Sequence, residues 1–402
     1  EDYRRAQTML GLQAGPIMFD GQVTPNWIAG EDSFWYLRRS AEGKRFVLVD
    51  IARRQKAPAF DHDRLASALT RASGATIKPE RLPFDSFRLD AKRQQIRFVI
   101  NRANWMCHLV TYECGEEARP PARAPEASYF AGFGLGPGLR DSMAVASPDG
   151  KWEVVLRDFN LVLRNTATGE ETRLTEDGSV DNDYSYSPSS PTLQLRLGAS
   201  KIRIPPSAYW SPDSSRFVGY RLDMRKSPRL TLVQSARGKE SFPFAYSYHA
   251  PVAGNPDVAK VIPVAFDVAQ KKGIAVKTEP LEWLWTEAGP FRPQWSKDSS
   301  RVWFVDATRG FKQVRLREID ARTGETRTLI DENSARHVNY NLAFFNWKRL
   351  DSGEVVWISE RDGWSHLYLY DSQSAALRRQ LTEGAWAVRE VVGIGKNRVF
   401  FY

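Results

Sequence analysis

Ser147-Pro148-Asp149-Gly150-Lys151-Trp152 decides the fold, together with the run Glu153 to Arg164 and the return Thr168-Gly169-Glu170-Glu171-Thr172-Arg173-Leu174-Thr175. Proline presets a turn dihedral, aspartate hydrogen-bonds its own backbone two residues on, and glycine takes positive φ without a steric cost. The phrase returns as Trp210-Ser211-Pro212-Asp213-Ser214-Ser215-Arg216-Phe217-Val218. It returns again as Trp295-Ser296-Lys297-Asp298-Ser299-Ser300-Arg301-Val302-Trp303-Phe304, closed by Thr323-Gly324-Glu325-Thr326-Arg327-Thr328-Leu329. A looser copy runs from Phe345-Asn346-Trp347 through Gly363-Trp364-Ser365-His366-Leu367-Tyr368-Leu369-Tyr370 to Gln380-Leu381-Thr382-Glu383-Gly384. Short strands between turn residues, repeated along the chain, predict an array of small sheets, an all-β β-propeller.

Working outward, the chain reads as one propeller domain over residues 1–402. Residues 27–50 form a first blade around Phe34-Trp35-Tyr36-Leu37 and Phe46-Val47-Leu48-Val49-Asp50. A helical insertion near residues 61–72 follows, with Asp61 and Asp63 at its start and Leu65, Ala66, Ala68 and Leu69 at helical spacing. The second blade takes Phe84 to Leu89, Gln95 to Asn101 and Trp105 to Glu113. After the loop Cys114 to Leu139 the third begins at Ser147; the fourth to seventh span 184–236, 244–285, 291–330 and 342–382. An eighth starts at Glu390-Val391-Val392 and stops at Tyr402. The expectation is therefore an eight-bladed propeller whose last blade is incomplete.

Composition narrows the partners. The 402 residues are 42% hydrophobic and 12% aromatic, with 13 Trp, which suits flat rings packed between stacked sheets. The net charge of +9 is the small excess of 57 basic over 48 acidic residues, and its clusters (Arg53-Arg54-Gln55-Lys56, Lys92-Arg93, Lys271-Lys272) are short and scattered. That pattern describes a solvated surface, so no nucleic-acid partner is expected. No apolar run is long enough to cross a bilayer, and Glu1-Asp2-Tyr3-Arg4-Arg5 has no signal character. Cys107 and Cys114, set along one extended strand, would stand roughly 23 Å apart on opposite faces, so no bridge is expected unless a turn intervenes.

Four stretches carry a resemblance to a family. They are Asn26-Trp27-Ile28 through Asp50, Ser147 to Gly178, Tyr246-Ser247-Tyr248-His249-Ala250-Pro251-Val252-Ala253-Gly254-Asn255-Pro256, and Ser359-Glu360-Arg361-Asp362-Gly363-Trp364-Ser365-His366-Leu367-Tyr368-Leu369-Tyr370. In this order they resemble the N-terminal propeller of the dipeptidyl peptidase IV branch of the prolyl oligopeptidase (S9) serine peptidases, bacterial members in particular. The resemblance implies eight blades, an α/β-hydrolase domain following the propeller, a peptide substrate, no cofactor, and a periplasmic or secreted location. A second copy of the chain stays open as a partner. No Gly-x-Ser-x-Gly elbow occurs in the sequence; Gly363-Trp364-Ser365-His366-Leu367 lacks the second glycine and reads as a hairpin turn. No catalytic residue is assigned, and hydrolysis is expected to belong to the hydrolase domain.

True dipeptidyl peptidases of this family present two adjacent glutamates before the blade-opening Trp-Ser-Pro, which hold the substrate's amino terminus. Leu193 to Pro206, before Trp210, has no acid and carries Arg196, Lys201 and Arg203 instead. Asp181 and Asp183, beside Tyr184 and Tyr186, could substitute; the plainer alternative is a solvated loop between blades. Arg221 and Asp223 stand two residues apart on a strand, hence on one face, as peptide contacts or as a cross-strand ion pair. The candidate substrate-binding set is Asp183, Tyr184, Tyr186, Arg221 and Asp223. No metal site is assigned, because Asp61-His62-Asp63 is explained by a helix start, and the Gly132, Gly134, Gly136, Gly138 series reads as loop. Two rival readings are a stand-alone interaction scaffold and the propeller of an oligopeptidase or acylaminoacyl-peptidase.

Overall fold

The computed structural model describes residues 23–28, 31–90, 92–101, 103–117, 144–185, 205–235, 242–283, 291–395 and 398–402. Within them the Ser-Pro-Asp phrase folds the same way each time. Ser147 Oγ donates to Asp149 Oδ1 at 2.6 Å and accepts from the Trp152 amide at 3.0 Å. Ser211 repeats both contacts, with Asp213 at 2.7 Å and the Arg216 amide at 3.0 Å, and Ser296 accepts from the Arg301 amide at 2.9 Å. Gly150 takes φ +73°, and the equivalent Ser214 and Ser299 are forced into the same left-handed region at +62° and +58°. Serine is strained there, but its hydroxyl has a use that glycine lacks. Ser214 Oγ accepts from the Asp149 amide at 3.1 Å, and Ser299 Oγ from the Asp213 amide at 3.2 Å, so each turn is tied to the one before it.

The chain divides into two compact units, Pro121–Glu390 and a unit made of Glu1–Pro120 with Val391–Tyr402. The first 120 residues supply two four-stranded antiparallel sheets: β1 to β4 (Asn26–Trp27, Ser33–Ser40, Gly43–Asp50, Gln55–Pro58) and β5 to β8 (Arg88–Leu89, Gln95–Ile100, Ala103–His108, Cys114–Glu117). Between them lies the expected insertion, helix α1 (His62–Ser73). Asp61 caps it, its carboxylate accepting from the Asp63 and Arg64 amides, and Gly74 ends it at φ +71°. Leu65, Ala66, Ala68 and Leu69 are buried against Trp35, Phe46, Phe84 and Trp105. His62 is buried too, and its Nε2 accepts from the Phe46 amide at 2.9 Å. Burial and nearby Arg45 hold its pKa below the ordinary 6.5, so the ring is a neutral strut of the core.

The cysteines correct the sequence reading. The segment expected as one strand from Trp105 to Glu113 turns at Leu109 to Tyr112, where Tyr112 takes φ +57° and its amide bonds to the His108 carbonyl at 2.8 Å. The chain therefore doubles back, Cys107 faces Cys114 across β7 and β8, and the two form a disulfide.

The second unit holds β9 to β12 (Ala144–Ala146, Trp152–Arg157, Asn160–Asn165, Glu171–Arg173), β21 to β24 (Gln294–Trp295, Arg301–Ala307, Gln313–Asp320, Thr326–Asn333) and β25 to β28 (Lys348–Arg349, Glu354–Ser359, His366–Asp371, Leu377–Gln380). Helix α2 (Tyr340–Asn346) packs Ala343 between the last two of these sheets. A six-stranded sheet combines β13 (Asn182–Asp183), β14 (Tyr209–Trp210), β15 (Arg216–Asp223), β18 (Lys260–Asp267), β19 (Lys272–Ile274) and β20 (Leu281–Glu282). β15 and β18 pair along their whole length, from Arg216↔Asp267 to Asp223↔Lys260. This overturns the expected boundary between a fourth and a fifth blade. Their strands form one sheet, and the alternating residues between them, β16 (Arg229–Gln234) and β17 (Phe244–His249), pair only with each other as a projecting arm. Among the described residues the propeller shows six sheets of four or more strands, not seven complete blades and part of an eighth.

A tryptophan joins neighbouring sheets at equivalent places. Trp210 Nε1 donates to the Val145 carbonyl and Trp295 Nε1 to the Tyr209 carbonyl, both at 3.0 Å, each reaching an edge strand of the preceding sheet. Trp27 Nε1 makes the same contact with the Val392 carbonyl at 2.6 Å, in the hairpin of β29 (Val391–Ile394) and β30 (Val399–Phe401). Trp27 also stacks on Phe400 at 4.6 Å, and a Cβ at Gly393 would stand 2.3 Å from the indole ring. The last hairpin thus occupies, against β1, the seat that a preceding blade occupies elsewhere.

Candidate functional site

The acid-bearing segment leads from β12 into β13. Asn160 anchors its start, accepting from Thr175 Oγ1 at 3.1 Å and from the Gly178 amide at 2.8 Å. Only glycine fits at 178, since a Cβ there would lie 2.4 Å from the Phe159 carbonyl. Ser179 and Asn182 exchange backbone hydrogen bonds at 2.8 and 3.0 Å around a tight turn in which Asp181 takes φ +62°. β13 then pairs Asn182 with Asp223 and Asp183 with Leu222 on β15. Three carboxylates (Asp177, Asp181, Asp183) are thereby fixed at one end of the six-stranded sheet, facing the region where β15 ends and the arm begins.

The sequence-derived candidates have these surroundings. Tyr184 is buried in the core beside Leu161, Trp210 and Phe217, and its hydroxyl donates to Asp177 Oδ1 at 2.7 Å. Burial first, then the Asp177 carboxylate, push its pKa well up, so it is a neutral donor. Arg221 pairs with Asp177, not with Asp223. Asp223 is bound in a fork by Arg225 Nε and Nη2, at 2.9 and 2.7 Å, and that guanidinium chiefly lowers its pKa. Both residues are in ion pairs, as the plainer reading expected, but not across paired strands: Arg221 takes Asp177 from the segment before β13, and Asp223 takes Arg225 from the turn after β15. Tyr186 lies outside the described residues, as do residues 193–204 and the glycine series. Asp177, Arg229 and His249 belong to the cluster although sequence reading did not single them out as site residues; the acid pair Glu176-Asp177 before Gly178 was the available signal.

Asp183 differs from its neighbours. Its carboxylate accepts from the Ser185 amide at 2.9 Å and from Ser185 Oγ at 2.5 Å, and no described cation pairs with it. Burial, with Asp181 adding like charge, raises its pKa. Nearby, Asn182 Oδ1 and Arg221 Nε are buried and find no hydrogen-bond partner among the described residues. A carboxylate with a raised pKa beside an unpartnered amide oxygen, Asn182 Oδ1, is chemically suited to a ligand that donates hydrogen bonds, such as an ammonium group.

Ser365 is a turn residue: it is buried, and its hydroxyl donates to the Val388 carbonyl at 2.8 Å. His366 is likewise held on both ring nitrogens, by Thr382 Oγ1 at 3.0 Å and the Gly384 carbonyl at 2.9 Å.

Comparison with known proteins agrees with this architecture. The crystal structure of dipeptidyl peptidase 4 from Porphyromonas gingivalis superposes with a TM-score of 0.50 at 15% identity, covering 92% of this chain and 48% of that one. A candidate dipeptidyl aminopeptidase IV from Bacteroides ovatus gives 0.52 at 17% identity, covering 95% of this chain and 51% of that one. The chain thus spans about half the length of these structures. Residues 135–402 match the family described as the dipeptidyl peptidase IV (DPP IV) N-terminal region, and with well over half of its length accounted for, the chain belongs to that family.

Proposed function

We propose that this propeller selects peptides for a dipeptidyl-peptidase-IV-like serine peptidase, and that Asp183 receives the peptide's free amino terminus. The observation that carries the reading is Asp183 itself, a half-buried carboxylate whose one described hydrogen-bonding partner is Ser185, in a cluster where Asp177, Asp181 and Asp223 each have a cation. A bound ammonium would supply the missing charge, with Asn182 Oδ1 as a further acceptor. Peptide-bond chemistry would then lie on a hydrolase domain, the partner that fits both the family and the half-length coverage.

The test compares a Xaa-Pro peptide carrying a free amino terminus with its acetylated form on the full-length protein. Affinity for the free form should exceed that for the acetylated form by about tenfold or more, the scale of a charged hydrogen bond, and Asp183→Asn should erase the difference. Equal affinities for both forms in the unaltered protein would favour an oligopeptidase or a binding scaffold.

Two further features support proposals on partner and location. One face of the arm carries Leu230, Leu232, Phe244, Tyr246 and Tyr248, with the first three largely exposed. A two-stranded hairpin is marginal alone, and a second copy of the chain would cover that face. Leu232→Glu, at its centre, should then shift sedimentation from dimer to monomer. The Cys107–Cys114 disulfide suits an oxidising compartment such as the periplasm.

A further inference from the structure

The arm is joined to the candidate site by three side chains on the face opposite its apolar one. Asp181 Oδ2 lies 2.8 Å from Arg229 Nη1, at the start of β16, and Asp181 Oδ1 lies 3.1 Å from His249 Nε2, at the end of β17. The other imidazole nitrogen, Nδ1, is 2.8 Å from the Ser227 carbonyl oxygen. Both ring nitrogens therefore face oxygen acceptors. Only the imidazolium can keep Nδ1–H on the Ser227 carbonyl and also present positive charge to the Asp181 carboxylate. In the neutral ring Nδ1–H can stay on Ser227, but the Nε2 lone pair then points at the Asp181 carboxylate, and the remaining donor is Arg229 Nη1, 3.3 Å from Nε2.

We propose that Asp181, Arg229 and His249 form a proton-operated latch: protonated His249 fastens the arm β16–β17 to the acid-bearing segment, and loss of that proton to solvent leaves the joint to Arg229 alone. Asp181 is well placed to transmit the change. Its backbone is bound by the Met224 amide at 2.7 Å, and two residues on, Asp183 is paired with Leu222 in β13. The charged groups that the described contacts place against the ring are Asp181 from the segment and Arg229 on the arm itself. Arg229 and His249 are thus positioning residues for Asp183, an inference that rests on Asp183 as the amino-terminus carboxylate; the latch itself is tested without peptide.

Hydrogen–deuterium exchange of the unliganded full chain, corrected for intrinsic rates, is followed over residues 177–185 and 229–249 at about pH 5 and about pH 9. Protection in both stretches should fall together by up to about fivefold on going to the higher pH, as expected for loss of a partly exposed ion pair. His249→Gln should remove the pH step and hold both stretches at the high-pH level, while Arg229→Lys should keep the step. A step that survives His249→Gln, or one confined to the arm with residues 177–185 unchanged, overturns the latch. Should a variant fold poorly, histidine nitrogen NMR of the unaltered protein decides instead: His249 Nε2 without a proton at the lower pH overturns it. Peptide affinity unmoved by Asp183→Asn would sink the amino-terminus reading and leave the exchange result standing.

Discussion

Glu332 is a buried acid and Asp183 a half-buried one, both at sheet positions, yet their surroundings differ completely. Glu332, at the seam of the sheets β21–β24 and β25–β28, accepts from Trp357 Nε1 at 2.7 Å and Ser359 Oγ at 2.6 Å, and pairs with Arg361 Nη2 at 3.2 Å. Arg361 in turn bonds Tyr370 and lies 4.4 Å over the Tyr368 ring. Both carboxylate oxygens have donors and the charge has a cation, so the carboxylate ties the two sheets together as a structural group. Asp183 has one serine and a neighbouring like charge. The difference separates an acid that serves the fold from one that is available for binding, although both are simply isolated acids in the sequence.

The largest effect should come from Glu332→Ala. Removing one partner of a buried ion pair and stranding an indole N–H costs about 3–5 kcal/mol, and the partial exposure of Arg361 places the result toward the lower end. Chemical denaturation reads it directly, and a loss below about 1 kcal/mol would make the seam no different from a surface pair.

Asp306→Asn should fall in between. Asp306 is bound by Arg315 through Nε at 3.1 Å and Nη2 at 2.5 Å, but Arg315 keeps Glu279 at 3.1 Å after the change, so a loss of about 1–3 kcal/mol is expected.

The smallest effect, and the one with opposite sign, belongs to Asp183→Asn. The amide keeps an oxygen for Ser185 and sheds a charge that burial disfavours, so stability at neutral pH should stay within about 0.5 kcal/mol of the parent or rise. Because the folded-state pKa lies above the ordinary 3.8, the native state binds the extra proton, and this group's contribution is lost as pH climbs from 3.8 through the raised value. Unfolding curves of the parent and the variant should therefore converge on acidification below 3.8 and separate above it, in favour of the variant. A clear destabilisation by Asp183→Asn at neutral pH would place Asp183 with Glu332 as a structural acid and break the comparison.

Local chemistry was well read from the chain. The Ser-Pro-Asp turns, the helix cap at Asp61 and the strands beside them depend on residues within a few positions of one another, so their pattern is written in consecutive letters. Partner choice was not. Arg221 and Asp223 share a face as their spacing requires, but Asp177, forty-four positions upstream of Arg221, takes the guanidinium. The same limit applies to β16 and β17, whose alternating residues suit a blade strand; they became an arm because β15 found β18 across the intervening chain. A six-residue turn likewise brought Cys107 against Cys114 where extension would have kept them apart.

Sequence by itself determined a repetitive all-β propeller, because turn dihedrals and strand alternation are set by the nearest residues, while its likeness to the dipeptidyl peptidase IV N-terminal region rested on the resemblance of four stretches. Tertiary structure alone decided how many sheets those strands make, which acid of the cluster has no cation among the described residues, and that His249 reaches Asp181. Hydrogen-bond and charge partners are chosen by proximity in space, and a carboxylate's availability depends on every donor that the fold brings within about 3 Å of it.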